Sequence, residues 1–120
     1  MKLKLLSAIL MICFLQEMAG QNSCDELMAK VQTEDYGTIY SSFNSDAITQ
    51  VTFHEFSDSS YNTYYFAIVQ FTSSYQEYIY QVDSDTEFNY SLDYYSSAGK
   101  AFWKHINPFK DVLGCAPNIN

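Results

Sequence analysis

The stretch 62–71 constrains the fold most. Tyr64, Tyr65, Phe66, Ala67, Ile68, Val69 and Phe71 make a run that is apolar on both faces. Side chains alternate across a strand, so a run of this length, rich in aromatic and β-branched residues, predicts a central strand. The segment 76–82 alternates instead, with Tyr78, Tyr80 and Val82 on one face and Glu77, Ile79 and Gln81 on the other. Residues 48–56 read as a third strand, with Thr49, Val51, Phe53 and Glu55 opposite Ile48, Gln50, Thr52, His54 and Phe56. The links between these strands are short polar clusters at 57–60 and 73–74. Parallel pairing needs a crossover of a dozen or more residues, so the three strands predict an antiparallel meander. A short strand at 38–43, closed by the Asn44-Ser45-Asp46 turn, is the candidate fourth.

Helical signals flank the strands. Ser23 and Glu26 have capping-box spacing, and Cys24, Leu27, Met28 and Val31 follow at i, i+3, i+4 and i+7, which predicts an amphipathic helix over 24–33. Gly37 can take the left-handed conformation that ends helices. Ser84 and Glu87 could form a second capping box, and Phe88, Leu92, Tyr95 and Ala98 then lay one apolar stripe toward the sheet. Gly99 interrupts that helix. Residues 100–107 resume as a second, with Phe102 and Ile106 sharing a face, until Asn107-Pro108 stops it. The tail beyond reads as irregular, held by Phe109, Val112, Leu113 and Cys115. The expected fold class is α+β: an antiparallel three- to four-stranded meander with an N-terminal helix and two short C-terminal helices packed on one face.

Residues 1–20 have Lys2 and Lys4, an apolar run over 5–15 and a small-residue ending at Met18-Ala19-Gly20. That is the pattern of a cleaved secretory signal, and the run is short of the ~20 residues that a membrane-spanning helix needs. Residues 21–120 then form a single mature domain, secreted or periplasmic, with no membrane span. Two cysteines remain, Cys24 and Cys115, and an even number in an exported chain suggests a disulfide. A free thiol or a zinc ligand is the rival, but no paired Cys or His spacing supports a metal.

The 120-residue chain has a formal charge of −8. Removing Glu17, Lys2 and Lys4 with the leader leaves 13 acids against four lysines and no arginine. Nucleic-acid binders concentrate Lys and Arg to release counterions from phosphate, so nucleic acid is disfavoured as a partner.

Tyr78-Ile79-Tyr80 ahead of Val82, then a capped helix ending in Ser97-Ala98-Gly99-Lys100-Ala101-Phe102 with Ile106 beyond, resembles the KTSC domain. That family is named for its occurrence at the C-terminus of some lysyl-tRNA synthetases, and it also exists as free-standing bacterial proteins. The resemblance covers about 45–108, with Tyr78, Tyr80, Ser97, Gly99 and Phe102 as its marks, and implies RNA binding, the suggestion attached to the family.

No residue pattern points to chemistry. Tyr78 and Tyr80 could present stacking rings, but their place beside Val82 and under a helix favours a sheet–helix interface. His54 and His105 have no partner cluster in sequence and read as surface or edge residues. The serines lack a nucleophile-elbow context, and the Asp83, Asp85 and Glu87 group is accounted for by helix capping and lacks the glycine of a calcium loop. No catalytic residue, cofactor or metal ligand is expected. With 11 tyrosines in the chain, Tyr61, Tyr75, Tyr90 and Tyr94 are the candidates for an exposed aromatic surface. The expected role is a non-enzymatic module that binds a protein or glycan outside the cell. An RNA-binding domain and an enzyme whose site assembles only in the fold are the alternatives.

Overall fold

The computed structural model describes residues 20–119. The elements in order are α1 (Gly20–Glu34), β1 (Thr38–Ser41), β2 (Ile48–Ser57), β3 (Thr63–Phe71), β4 (Glu77–Val82), α2 (Thr86–Asp93), α3 (Ala98–His105), a 3-10 turn (Asn107–Phe109) and α4 (Lys110–Leu113). The strands form one sheet in the order β1-β2-β3-β4, antiparallel throughout. The expected α+β meander is therefore the observed one. The candidate leader lies outside the described residues, apart from Gly20 at the start of α1.

β3 is buried on both sides because the sheet is covered on both sides. Ala67, Val69 and Phe71 join Val51, Phe53, Tyr80 and Val82 beneath α2 and α3, which contribute Tyr90, Ala98, Ala101 and Phe102. Phe66 and Ile68 turn the other way, with Ile79, to meet Val31 of α1. The α1 stripe is as the spacing predicts: Cys24 and Val31 are buried, and Leu27 and Met28 are half-buried. A disulfide joins Cys24 to Cys115, 91 residues apart, so α1 and the tail close over the same face of the sheet.

Several expectations need correction. A register irregularity between Ile48 and Gln50 breaks the alternation in β2, so Ile48 is buried in the same core as Val51 and Phe53 rather than opposite them. β1 ends at Ser41, and Phe43 is 95% exposed. The tail is helical through Leu113, because the backbone after Pro108 needs no amide from the proline to continue in a 3-10 turn. His54 is not a surface residue: it is 4% exposed, with Nδ1 3.4 Å from Oδ2 of Asp35. Gly37 closes over it at φ +75°, where a Cβ would stand 2.7 Å from Cε1 of His54.

The largest correction concerns α2. Phe88, Leu92 and Tyr95, expected against the sheet, are 63%, 62% and 83% exposed. The opposite stripe is inward, with Thr86 and Tyr90 buried and Tyr94 half-buried. Ring contacts and one hydrogen bond set that rotation. Tyr90 lies 5.6 Å from Phe53 and 6.0 Å from Tyr40 between ring centroids. The Tyr40 hydroxyl donates to Glu87 Oε2 at 2.9 Å, so Glu87 is held toward β1 and forms no capping box with Ser84. Thr86 Oγ1 instead accepts from the Asp83 amide at 3.1 Å.

Candidate binding groove

Three connections meet at the end of the sheet where β2 begins and β3 ends. The 41–47 loop is folded on Ser45, whose Oγ accepts from the amides of Ala47 and Ile48 at 3.2 and 3.0 Å. The turn after β3 is tied to this loop. Thr72 donates its amide to the Ala47 carbonyl at 3.0 Å and its hydroxyl to the Ser45 carbonyl at 3.3 Å. The third connection is the 94–99 corner between α2 and α3. Ser97, with extended backbone, caps α3 by accepting from the Lys100 amide at 3.2 Å. A Cβ on Gly99 would stand 3.4 Å from the Cβ of Ala47, so the corner and the loop approach to ordinary van der Waals contact.

Between the 41–47 loop and the 94–99 corner lies a groove of about 670 Å³. Its aromatic side is the outer end of a ring series rising from the core. Phe53 meets Tyr90 at 5.6 Å, Tyr90 stacks on Tyr94 at 5.6 Å with planes 11° apart, and Tyr94 meets Tyr95 at 4.4 Å. Tyr40 adds an edge contact to Tyr94 at 5.2 Å. Each ring is thus braced by the one beneath it, and the last, Tyr95, is open to solvent with Phe43. Ser41, Ser42, Asn44, Ser45, Ser96 and Ser97 supply its polar lining, completed by Ala47, Ala98 and Gly99; among the described residues Asp46 is its one carboxylate, and no lysine or histidine borders it. The buried Tyr90 phenol faces Ser42 from below; burial pushes its ionisation well above the ordinary tyrosine value.

The sequence candidates divide among these places. Tyr94 borders the groove, half-buried. Tyr75 stands in the turn after β3, at the same end of the sheet, 68% exposed. Its φ is +56°, a conformation that costs a residue with a Cβ, and Gln70 Nε2 holds it by donating to its carbonyl at 3.0 Å. Tyr61, 93% exposed at φ +66°, occupies the β2–β3 turn at the far end. There Asp58 accepts the amides of Ser60 and Asn62, each at 2.9 Å. The Asn62 amide is the main reason that the Asp58 carboxyl sits below its ordinary range. Tyr90 is a correction: it is fully buried and cannot be a contact residue.

The residues that mark the family resemblance lie in the framework. Tyr80 and Phe102 are each 1% exposed, with ring centroids 5.7 Å apart across the sheet–helix interface, and burial drives the Tyr80 phenol far above its ordinary value. Tyr78 is half-buried, donating to Gln76 Oε1 at 2.7 Å. Ser97 and Gly99 shape the corner that forms one wall of the groove. Phe43 and Tyr95 were not legible as contact residues. Phe43 sits at a strand end next to a polar turn, and Tyr95 sits on a helical stripe that the fold turns outward.

Among the described residues no group of three or more His, Cys, Asp or Glu side chains could hold a metal ion, and no helix is long and apolar enough to cross a membrane. No protein-family model, no curated protein and no solved structure matches this chain.

Proposed function

We propose that this chain is an exported, non-enzymatic binding module that holds a neutral glycan segment in the groove between the 41–47 loop and the 94–99 corner. The observation that carries the reading is the lining itself: solvent-open Phe43 and Tyr95 rings flanked by hydroxyls and amides, with no cationic side chain among the described residues. Sugar rings present apolar C–H faces that pack on aromatic rings and hydroxyls that exchange hydrogen bonds with Ser and Asn. A braced ring loses little freedom on binding, which favours Tyr95 as the platform. The disulfide and the leader pattern in residues 1–20 support an extracellular or periplasmic setting. The same composition argues against phosphate-rich partners, so the family resemblance enters this proposal as a relation of fold without its RNA-binding suggestion.

The test is calorimetric titration of residues 21–120, disulfide intact, with neutral oligosaccharides: chito-, cello- and laminari-oligosaccharides. The expected result is saturable binding to at least one, independent of salt, weakened about tenfold by Tyr95→Ala and by Phe43→Ala, since one stacked ring is worth ~1–3 kcal/mol. If none of the three binds, or if both variants bind like the parent, the glycan reading is wrong. Salt-dependent binding of single-stranded RNA in a parallel titration would move the protein to the nucleic-acid alternative.

A further inference from the structure

On the opposite face of the sheet, a cavity of about 280 Å³ opens between α1 and the strands. Leu27 and Val31 of α1 form one wall, Phe56 and Phe66 the floor, and Leu113 the end. Tyr64 and Gln81 are the other contributors. The Cys24–Cys115 bridge fixes this geometry, because Leu27 lies one turn after Cys24 and Leu113 two residues before Cys115. At the mouth stands Lys30, its Nζ 5.3 Å from the centre of the Phe56 ring. In a chain of net charge −8, this is the one cationic side chain among the described residues that borders the cavity. Glu26 and Glu34 sit one helical turn away on either side, yet no carboxylate of the described residues lies within ion-pair distance of it.

An apolar slot with one unpaired ammonium at its rim is complementary to a molecule with an apolar body and an anionic head. We propose that this cavity binds a small amphipathic carboxylate, its hydrocarbon portion between α1 and the Phe56–Phe66 floor and its carboxylate on Lys30. The site is separate from the groove and stands or falls independently of the glycan reading. Binding would bridge α1 to the sheet, so occupancy raises the stability of the folded state by mass action.

The test is titration of the disulfide-intact chain with sodium octanoate and with its neutral isostere octanamide, followed by calorimetry and by methyl NMR. One octanoate should bind per chain, with shifts concentrated on the Leu27, Val31 and Leu113 methyls. Lys30→Met, an exposed substitution, should weaken octanoate about tenfold and leave octanamide within about twofold. Leu113→Trp, which fills the slot, should remove both. Absence of saturable octanoate binding overturns the proposal, as do shifts centred elsewhere or equal losses for the two ligands in Lys30→Met. The NMR readout on the unmutated chain decides the location even if Leu113→Trp fails to fold.

Discussion

Nε2 of His105 lies 2.6 Å from Oδ2 of Asp93, joining the last turn of α3 to the last turn of α2. Lys104 Nζ adds a longer contact to the same oxygen at 3.8 Å. The hydrogen bond from His105, reinforced by the Lys104 charge and opposed by partial burial, holds the Asp93 carboxyl below its ordinary value of 3.8. A carboxyl depressed in the fold contributes stability that is complete above the unfolded value and is lost as pH falls through the folded one. Between about pH 5 and about pH 3 the melting temperature of the parent should therefore fall more steeply than that of Asp93→Asn. Parallel curves from circular dichroism would show that the pair contributes nothing to the acid limb.

The bridge between Cys24 and Cys115 closes a loop of 91 residues in sequence separation. A loop of that size restricts the unfolded chain by roughly 4–5 kcal/mol in the chain-entropy account. The double variant Cys24→Ser/Cys115→Ser should lose about 4 kcal/mol in urea denaturation. It should lose octanoate binding before sheet structure, because the bridge holds the wall of the α1 cavity. Intact mass with and without reductive alkylation checks the bridge directly.

Gly37 combines φ +75° with an approach that leaves no room for a side chain: a Cβ would meet His54 Cε1 and Thr52 Cγ2, each at 2.7 Å. Left-handed backbone alone costs an alanine ~1–2 kcal/mol, and the overlap adds to it. Gly37→Ala should therefore destabilise by about 2 kcal/mol or more in equilibrium denaturation. A loss below about 0.5 kcal/mol would show that the cover over His54 can shift freely.

Tyr75 is a tyrosine in a conformation suited to glycine, φ +56°, and the residue is 68% exposed. Strain of this kind persists where the surrounding structure holds it, here through the Gln70 hydrogen bond to the Tyr75 carbonyl. Tyr75→Gly should stabilise the fold by about 0.5–1 kcal/mol. If the ring extends the proposed glycan groove at that end of the sheet, affinity should fall in the same variant. Greater stability with unchanged affinity would show that Tyr75 takes no part in binding.

The sheet was legible because its signals are local. A run apolar on both faces identified β3, strict alternation identified the sides of β4, and short polar links left antiparallel pairing as the only economical connection. The two cysteines left after the candidate leader pointed to the bridge, and the spacing of Cys24, Leu27, Met28 and Val31 gave the buried side of α1. Even there, one irregular residue pairing near Ile48 shifted a side chain between cores, since a bulge resets the alternation without leaving a mark in composition.

The groove was hidden for a different reason. Residues 88, 92 and 95, at i, i+4 and i+7, and residues 86, 90 and 94, at i, i+4 and i+8, are two stripes that both fit a helical face, so periodicity alone does not choose between them. The choice rests on shape and hydrogen bonding across 47 residues of chain: Tyr90 fits against Tyr40 and Phe53, and Tyr40 anchors Glu87. That rotation turns Tyr95 to solvent and sets Tyr94 beside the 41–47 loop. Strand identity and pairing follow from neighbours in sequence; the orientation of α2, and with it the shape of the candidate groove, follows from the packing of rings distant in the chain.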